Sequence, residues 1–417
     1  MNPITIRTAL DKDFRPPRGD FLQTLMIELT PARGLSNLPL NLGILLDNSG
    51  SMEGAKLENA KSACALLLQQ LQPHDRAAVC VFSSGARTIA PSQMFDDNAK
   101  RSALNAVSQL QIEGATEVLA GLNQVYAEVA PHRTPDVTTF VILLSDGEPT
   151  DANGYRVEDL QPFLNRAATE FQTNGVALST IGLGSAADYD AAFLRELADK
   201  GTGKFLMAQQ PQELADAFQD EFGRIQSTVI SDVAIEVSKL EGTVRRFWRV
   251  VPDKKIFDPP KVVGGSFRVP VGSLQNDQPQ AYLVDIVSAT PANAQGRGML
   301  CQVSVNSAAG KSDATVLTGY SENELELAQR NNEVLKLNEE AVDFKLQMDL
   351  EDAVKSGDRQ KMTTVLERKK KMTQRLGKST ATKILDDMQA TLQSGGDIAP
   401  DDLATSSVES KKTKRLG

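Results

Sequence analysis

Between positions 36 and 226 short apolar runs alternate with longer amphipathic stretches, and this alternation restricts the possible folds more than any other property of the chain. The runs are 40–46, 77–82, 138–144, 176–182 and 204–207. Helical periodicity fills the intervals near 55–71, 97–110, 117–130, 156–173, 189–199 and 211–226. A strand that is apolar without interruption must be covered on both faces, and strands separated by helices are joined in parallel by right-handed crossovers. The expectation is an α/β fold: a doubly wound, mostly parallel sheet with helices on both sides.

The flanking segments follow other rules. Residues 1–35 hold two strand-like pieces, 4–9 and 21–29, in which Phe21, Leu25, Ile27 and Leu29 share one face of a period-two pattern. From 227 to 320 the helical period disappears. Val233/Ile235/Val237, Tyr282/Val284/Ile286 and Met299/Cys301/Val303/Val305 alternate with polar neighbours, punctuated by Pro252, Pro259, Pro260, Gly264, Gly265, Pro279 and Pro291. That pattern predicts a small antiparallel β-sandwich. The two N-terminal strands have no place in a parallel sheet, so they are expected to pair with the sandwich, making 36–226 an insertion within it. Residues 321–394 return to helical periodicity (322–355, 358–376, 379–394). A heptad of Leu327, Val334, Ala341 and Met348 is interrupted by Arg330 and Glu351, which favours a three-helix bundle over a long coiled coil. The Gly-, Ser-, Asp- and Lys-rich segment 395–417 is expected to be a flexible tail.

Composition excludes more than it assigns. Only two His occur, His74 and His132, which removes most His-based metal sites and catalytic triads. Lys and Arg total 45 against 54 Asp and Glu, a net charge of −9, unsuited to general nucleic-acid or anionic-membrane binding. Aromatics make up 5% with a single Trp, too few for a base-stacking platform. Cys64, Cys80 and Cys301 are odd in number and widely spaced, as expected of reduced, buried thiols. The first twenty residues lack the apolar core of a signal peptide, and no apolar run approaches the ~20 residues of a membrane span. A cytoplasmic location without a membrane span is the resulting expectation.

The chemistry lies at the ends of the apolar runs. Run 40–46 leads into Asp47-Asn48-Ser49-Gly50-Ser51, and run 138–144 into Ser145-Asp146-Gly147-Glu148. Gly114-Ala115-Thr116-Glu117 stands before the helix near 118. In an open α/β sheet the carboxyl ends of the strands form the ligand crevice, so Asp47, Ser49, Ser51, Thr116 and Asp146 are expected on one rim. Two carboxylates and three hydroxyls make an all-oxygen set suited to a hard divalent cation such as Mg²⁺, with Mn²⁺ or Ca²⁺ as alternatives. The i, i+2, i+4 spacing lets alternate side chains point into one cavity. With only two charged ligands, the ion keeps Lewis acidity toward an incoming carboxylate. The D-x-S-x-S segment alone could be a capped turn, since Asp and Ser are good helix caps.

These residues resemble the von Willebrand factor A domain and its metal-ion-dependent adhesion site: D-x-S-x-S, then a Thr, then an Asp ending the central apolar strand. Asp47, Ser49 and Ser51 match the first element, Thr116 the second and Asp146 the third, over about 190 residues of chain. The resemblance implies that Ser49, Ser51 and Thr116 ligate the metal through hydroxyls, and that Asp47 and Asp146 act directly or through water. It also implies that one coordination position is left for an Asp or Glu of a partner protein. No bond is broken in such docking, so the implied role is a scaffold or adaptor and not an enzyme. A domain of this kind within a sandwich, followed by helices, resembles bacterial cytoplasmic A-domain proteins. By arrangement it is also similar to the inter-alpha-trypsin-inhibitor and calcium-activated-chloride-channel-like groups. The intracellular relatives imply partners among AAA+ ATPases or Ser/Thr kinase and phosphatase systems.

Other signals are weaker. A metal-dependent hydrolase or phosphatase using the same cation is the alternative, but Asp47-Asn48-Ser49 lacks the second Asp of D-x-D-x-T phosphotransferases. The rim offers only Glu53, Glu117 and Glu148 as general bases. Gly182-Leu183-Gly184-Ser185-Ala186-Ala187 loosely fits a dinucleotide fingerprint, yet no acidic residue ends the following strand, so a plain turn is expected. The dense basic stretch from Arg359 to Lys378 is read as a solvated helix face. In the tail, Thr405, Ser406, Ser407, Ser410 and Thr413 lie near basic residues; an inert solubilising tail is the favoured reading, with phosphorylation of a kinase-accessible flexible segment as the alternative.

Overall fold

The computed structural model describes residues 3–146, 148–184, 190–208, 210, 213–291 and 294–411. The chain forms two compact units, one of residues 34–233 with 270–276, the other of 1–33, 234–269 and 277–417.

The first unit is the expected α/β layer structure. Its six-stranded sheet runs Ala86–Met94, Arg76–Phe82, Leu40–Asp47, Thr138–Ser145, Ala177–Leu183, Thr202–Ala208, with every neighbour parallel except the antiparallel edge strand Ala86–Met94. Alternate residues of the buried strands serve opposite faces. Leu42, Ile44, Leu46, Val79, Val81, Ile142 and Leu144 join one core with the helices Ala55–Gln70, Asp97–Ser108 and Glu213–Gln226. Leu45, Cys80, Phe82, Val141 and Leu143 join the other with Val118–Val129, Gln161–Arg166 and Ala191–Lys200. Each fully buried aliphatic side chain contributes about 1.5–3 kcal/mol, so these two cores hold the sheet rigid beneath the rim. At Gly43 an added Cβ would stand 2.6 Å from Val125 Cγ2, so glycine there lets the helix Val118–Val129 lie close on the sheet.

Two local readings are corrected, and a third falls partly outside the described residues. The edge strand Ala86–Met94 was not anticipated, because its mostly half-exposed side chains and Pro91 show no apolar run; an edge position tolerates that proline. The helix expected over 156–173 is confined to Gln161–Arg166 and continues as a π-helical turn at Ala167–Gln172. The turn expected at 182–187 reaches residues 185–187, which lie outside the described residues.

In the second unit Ile4–Leu10 pairs antiparallel with Asp20–Pro31, which pairs with Gln280–Ala289. The N-terminal strands therefore do join the antiparallel sheets. One sheet runs Ile4–Leu10, Asp20–Pro31, Gln280–Ala289, Gly242–Val251, Lys255–Phe257; a further sheet, whose first two strands are divided between the units at 269/270 and 233/234, runs Phe267–Gln275, Thr228–Ser238, Arg297–Ser307, Gly310–Tyr320, Phe14–Arg15. Buried Arg15 links them, donating to Ser288 Oγ at 2.6 Å and Thr290 Oγ1 at 2.8 Å. The helix Asn332–Lys355 lays Val334 and Ala341 against Met26, Val250, Ala281 and Leu283, so these two heptad positions face a sheet, while Leu346, Leu350 and Ala353 further along pack with Met362, Leu366 and Leu385 of the following helices.

The segment expected to be a flexible tail is corrected: Pro400–Lys411 is a helix, opened by a first-turn proline and by Asp401 and Asp402 near the positive end of its dipole. Ser406, Ser407 and Ser410 are buried on it, and Ser406 Oγ donates to Gln347 Oε1 at 2.6 Å, so they are not open to a kinase. Thr413 lies outside the described residues. The basic stretch is not wholly solvated either, because Lys369 and Lys378 are buried. Lys369 bonds Asp343, Lys378 bonds Glu340 and Asp343, and Lys254 joins the cluster through Glu340.

Candidate metal centre

The strands Leu40–Asp47 and Thr138–Ser145 lie side by side at the middle of the parallel sheet, in register from Leu40 opposite Thr138 to Leu46 opposite Leu144. After the first of them the chain builds the sheet outward on one side, then returns to build the other. Their shared boundary is thus the topological switch point, where open α/β sheets bind ligands. Asp47 and Asp146 stand at the two strand ends there, both without exposed surface.

Local hydrogen bonds shape the first loop. Asp47 Oδ1 accepts from Ser49 N–H at 2.8 Å, and Asp47 Oδ2 accepts from Ser145 Oγ at 2.6 Å. Buried Met52 anchors the 3-10 turn Gly50–Met52 in the core below. Asn48 N–H donates to Phe82 O at 3.0 Å and its amide to Gln111 O at 3.0 Å, while Asn48 Oδ1 is buried with no partner among the described residues.

The second loop, carrying Thr116, is sewn to the first by backbone. Glu113 N–H donates to Asn48 O at 2.8 Å, and Gly50 N–H to Gly114 O at 3.1 Å. Gly114 has φ +27°, and a Cβ there would stand 2.0 Å from Ser84 Oγ. Only glycine lets this loop come so close. Thr116 is 6% exposed, and its backbone exchanges hydrogen bonds with Thr150, N–H to Oγ1 at 2.7 Å and O from N–H at 2.9 Å.

Four of the five expected residues form one hydrogen-bonded chain. Asp47 holds the Ser49 amide, the Ser49 and Ser51 hydroxyl oxygens are 3.1 Å apart, and Ser51 Oγ donates to Asp146 Oδ1 at 2.7 Å. Thr116 is joined to them through its loop's backbone. Sequence reasoning missed two residues. Ser145 adjoins Asp146, but its hydroxyl crosses to the neighbouring strand's Asp47. Lys56, on the first turn of the helix Ala55–Gln70, places Nζ 2.5 Å from Asp146 Oδ2. No spacing rule in the sequence marks either; both depend on which strand ends become neighbours.

The electrostatics favour a cation. Burial pushes the Asp47 carboxyl up to about 6, against the hydrogen bonds from Ser145 and Ser49, and the nearby charge of Asp146 raises it further. Among the described residues no three His, Cys, Asp or Glu side chains gather as metal ligands, so any ion held here must draw on hydroxyls as well. The groups at the switch point meet that condition, with two buried carboxylates and the linked hydroxyls of Ser49 and Ser51, and Thr116 on the adjoining loop. They fit a hard divalent cation.

Residues 41–220 match the family model of the von Willebrand factor type A domain. An uncharacterised protein of Synechocystis sp. is 26% identical over 392 residues, covering 90% of this chain and 88% of that one. Inter-alpha-trypsin inhibitor heavy chain H4 of Bos taurus is 26% identical over 272 residues, covering 60% of this chain and 26% of that one. The chain thus spans only about a quarter of the length of such heavy chains. Among solved structures, a von Willebrand factor type A protein from Catenulispora acidiphila superposes with TM-score 0.82 at 20% identity, covering 99% of this chain and 97% of that one. The ArnB paralog VWA2 from Sulfolobus acidocaldarius gives TM-score 0.65 at 17% identity, with 98% of each chain covered. These two likenesses concern the fold alone.

Proposed function

We propose, given that residues 41–220 are a von Willebrand factor type A domain, that this chain is an adaptor that docks partner proteins through a divalent cation held at its rim. One observation carries the reading: two fully buried carboxylates, Asp47 and Asp146, face the switch point and are bridged by Ser49 and Ser51. Lys56 balances one of these two buried negative charges, and the other is costly without a further cation.

Ser49, Ser51 and Thr116 would offer hydroxyl oxygens to the ion, with Asp47 and Asp146 as direct or water-linked carboxylates. Mg²⁺ is the proposed ion, and Mn²⁺ or Ca²⁺ share its oxygen preference. Bound there, the ion supplies Lewis acidity toward one more oxygen ligand, and an Asp or Glu of the partner is its natural match. The chain's residues orient that ligand and limit water; they need not break a bond. The proposed partners are proteins presenting such a carboxylate, among them AAA+ ATPases and Ser/Thr kinase or phosphatase systems. No helix among the described residues is long and apolar enough to cross a membrane. We take the compartment to be cytoplasmic, a reading supported by three buried, unbridged thiols whose burial pushes each up to about 12.

The test is a pull-down with the intact chain in Mg²⁺ and in EDTA, read by mass spectrometry. Partners recovered only in Mg²⁺, and lost with Asp146→Ala, support the reading. Identical recoveries in both buffers overturn it.

A further inference from the structure

Among the described residues Lys56 is the cation that touches the proposed ligand set, and its placement runs against local preference. It occupies the second position of the helix Ala55–Gln70, where the aligned peptide dipoles favour acidic side chains and disfavour lysine. Its ammonium nevertheless reaches Asp146 Oδ2 at 2.5 Å, while Ser51 Oγ takes Oδ1 at 2.7 Å. Both oxygens of a carboxylate with no exposed surface are thus occupied, one of them by a cation belonging to the chain itself. The nearby Lys61 bonds Glu58 on its own helix.

We propose that Lys56 is a resident counter-cation of the metal centre, one that weakens resting metal affinity and reserves the centre for a ternary complex with a partner carboxylate. The proposal rests on the metal-docking reading above. Charge arithmetic carries it. Asp47 and Asp146 bring two negative charges, and Lys56 cancels one, so an arriving divalent cation meets a site of charge −1 and competes with the ammonium at Asp146. If Lys56 stays beside Asp146, the loaded site has charge +1, and the carboxylate of a partner brings it to zero. Without Lys56 the loaded site would already be neutral, and an incoming carboxylate would leave a buried negative charge. Lys56 therefore shifts binding strength from the metal alone to metal and partner together. Its side chain is 29% exposed against 0% for Asp146, so the ammonium has room to shift aside for the ion while its charge stays at the rim.

The experiment measures Mn²⁺ binding to the intact chain, free Mn²⁺ being read by electron paramagnetic resonance and Mg²⁺ heats by calorimetry, for wild type, Lys56→Gln, Lys56→Arg and Asp146→Asn. The expected result is at least tenfold tighter metal binding by K56Q, near-wild-type binding by K56R, and loss by D146N. Metal binding by K56Q alone also supports the proposal. Equal or weaker binding by K56Q than by a wild type that does bind overturns the counter-cation role and leaves the metal reading standing. Absence of binding in both wild type and K56Q overturns both. Circular dichroism and melting curves establish that each variant is folded.

Discussion

At Gly114 one methyl group separates a closed rim from a displaced loop. Its φ of +27° and the 2.0 Å that would separate an added Cβ from Ser84 Oγ mean that Gly114→Ala must move the loop carrying Thr116. A loss of about 1–3 kcal/mol is expected in thermal or urea unfolding, with a weakened Mg²⁺ response. The double change Asp47→Ala with Ser49→Ala should leave a folded protein, since it removes a buried charge together with one of the hydroxyls beside it. It should abolish any Mg²⁺-dependent rise in melting temperature; an unchanged rise would remove Asp47 and Ser49 from the proposed metal centre. At this scale the sequence was a good guide to which rim residues share a loop. The alternation Asp47, Ser49, Ser51 is local, and Asp146 follows an apolar run that could only be a central strand. Lys56 and Ser145 were illegible because their partners, Asp146 and Asp47, are brought to them by strand pairing and helix placement.

Elements were legible in proportion to how continuously they are buried. The central strands, buried along their whole length, stand out as apolar runs, and their crossover helices carry one or two apolar faces. The edge strand Ala86–Met94 is mostly half-exposed and reads as loop. The helix Pro400–Lys411 was invisible for a different reason: the face it buries is built from Ala404, Ser406, Ser407 and Ser410, small residues that composition assigns to flexible chain. Ser406→Asp tests that packing. It would place a carboxylate beside Gln347 Oε1, and a loss of about 2–4 kcal/mol is expected in chemical unfolding, against about 1 kcal/mol for Ser406→Ala. Equal stability of S406D and wild type would mean that this helix does not stay docked.

On the scale of the whole chain, stability should depend on pH through the buried lysines. Burial pushes Lys254 down from 10.5 to about 8, with Lys378 adding to the fall and Glu340 opposing it. Burial also lowers Lys369, against Asp343; Lys378 moves upward, because Asp343 and Glu340 outweigh its burial. Asp343 itself, though burial favours its neutral form, is held below the usual range by Lys369 and Lys378. For Lys254 the folded state releases its proton before the unfolded state does, so its contribution to stability rises from about pH 8 to 10.5 and is smallest below 8. Relative to Lys254→Met, the wild type is expected to gain at most about 3 kcal/mol across that window in urea titrations. A constant difference between the two proteins would show that Lys254 titrates normally.

The pairing of Asp20–Pro31 with Gln280–Ala289 has a consequence for synthesis. A ribosome makes the earlier strand first, then the whole α/β unit, and only much later the strand that covers it. During that interval Leu25, Ile27 and Leu29, all fully buried at the end, have no final partner on that side beyond the hairpin with Ile4–Leu10. The nascent chain therefore passes through a stage in which a long, sticky ribbon must wait while an entire domain is completed. Chaperone engagement and slow-translation effects should concentrate on that stage, with codon changes between positions 32 and 280 altering yield more than those beyond 289.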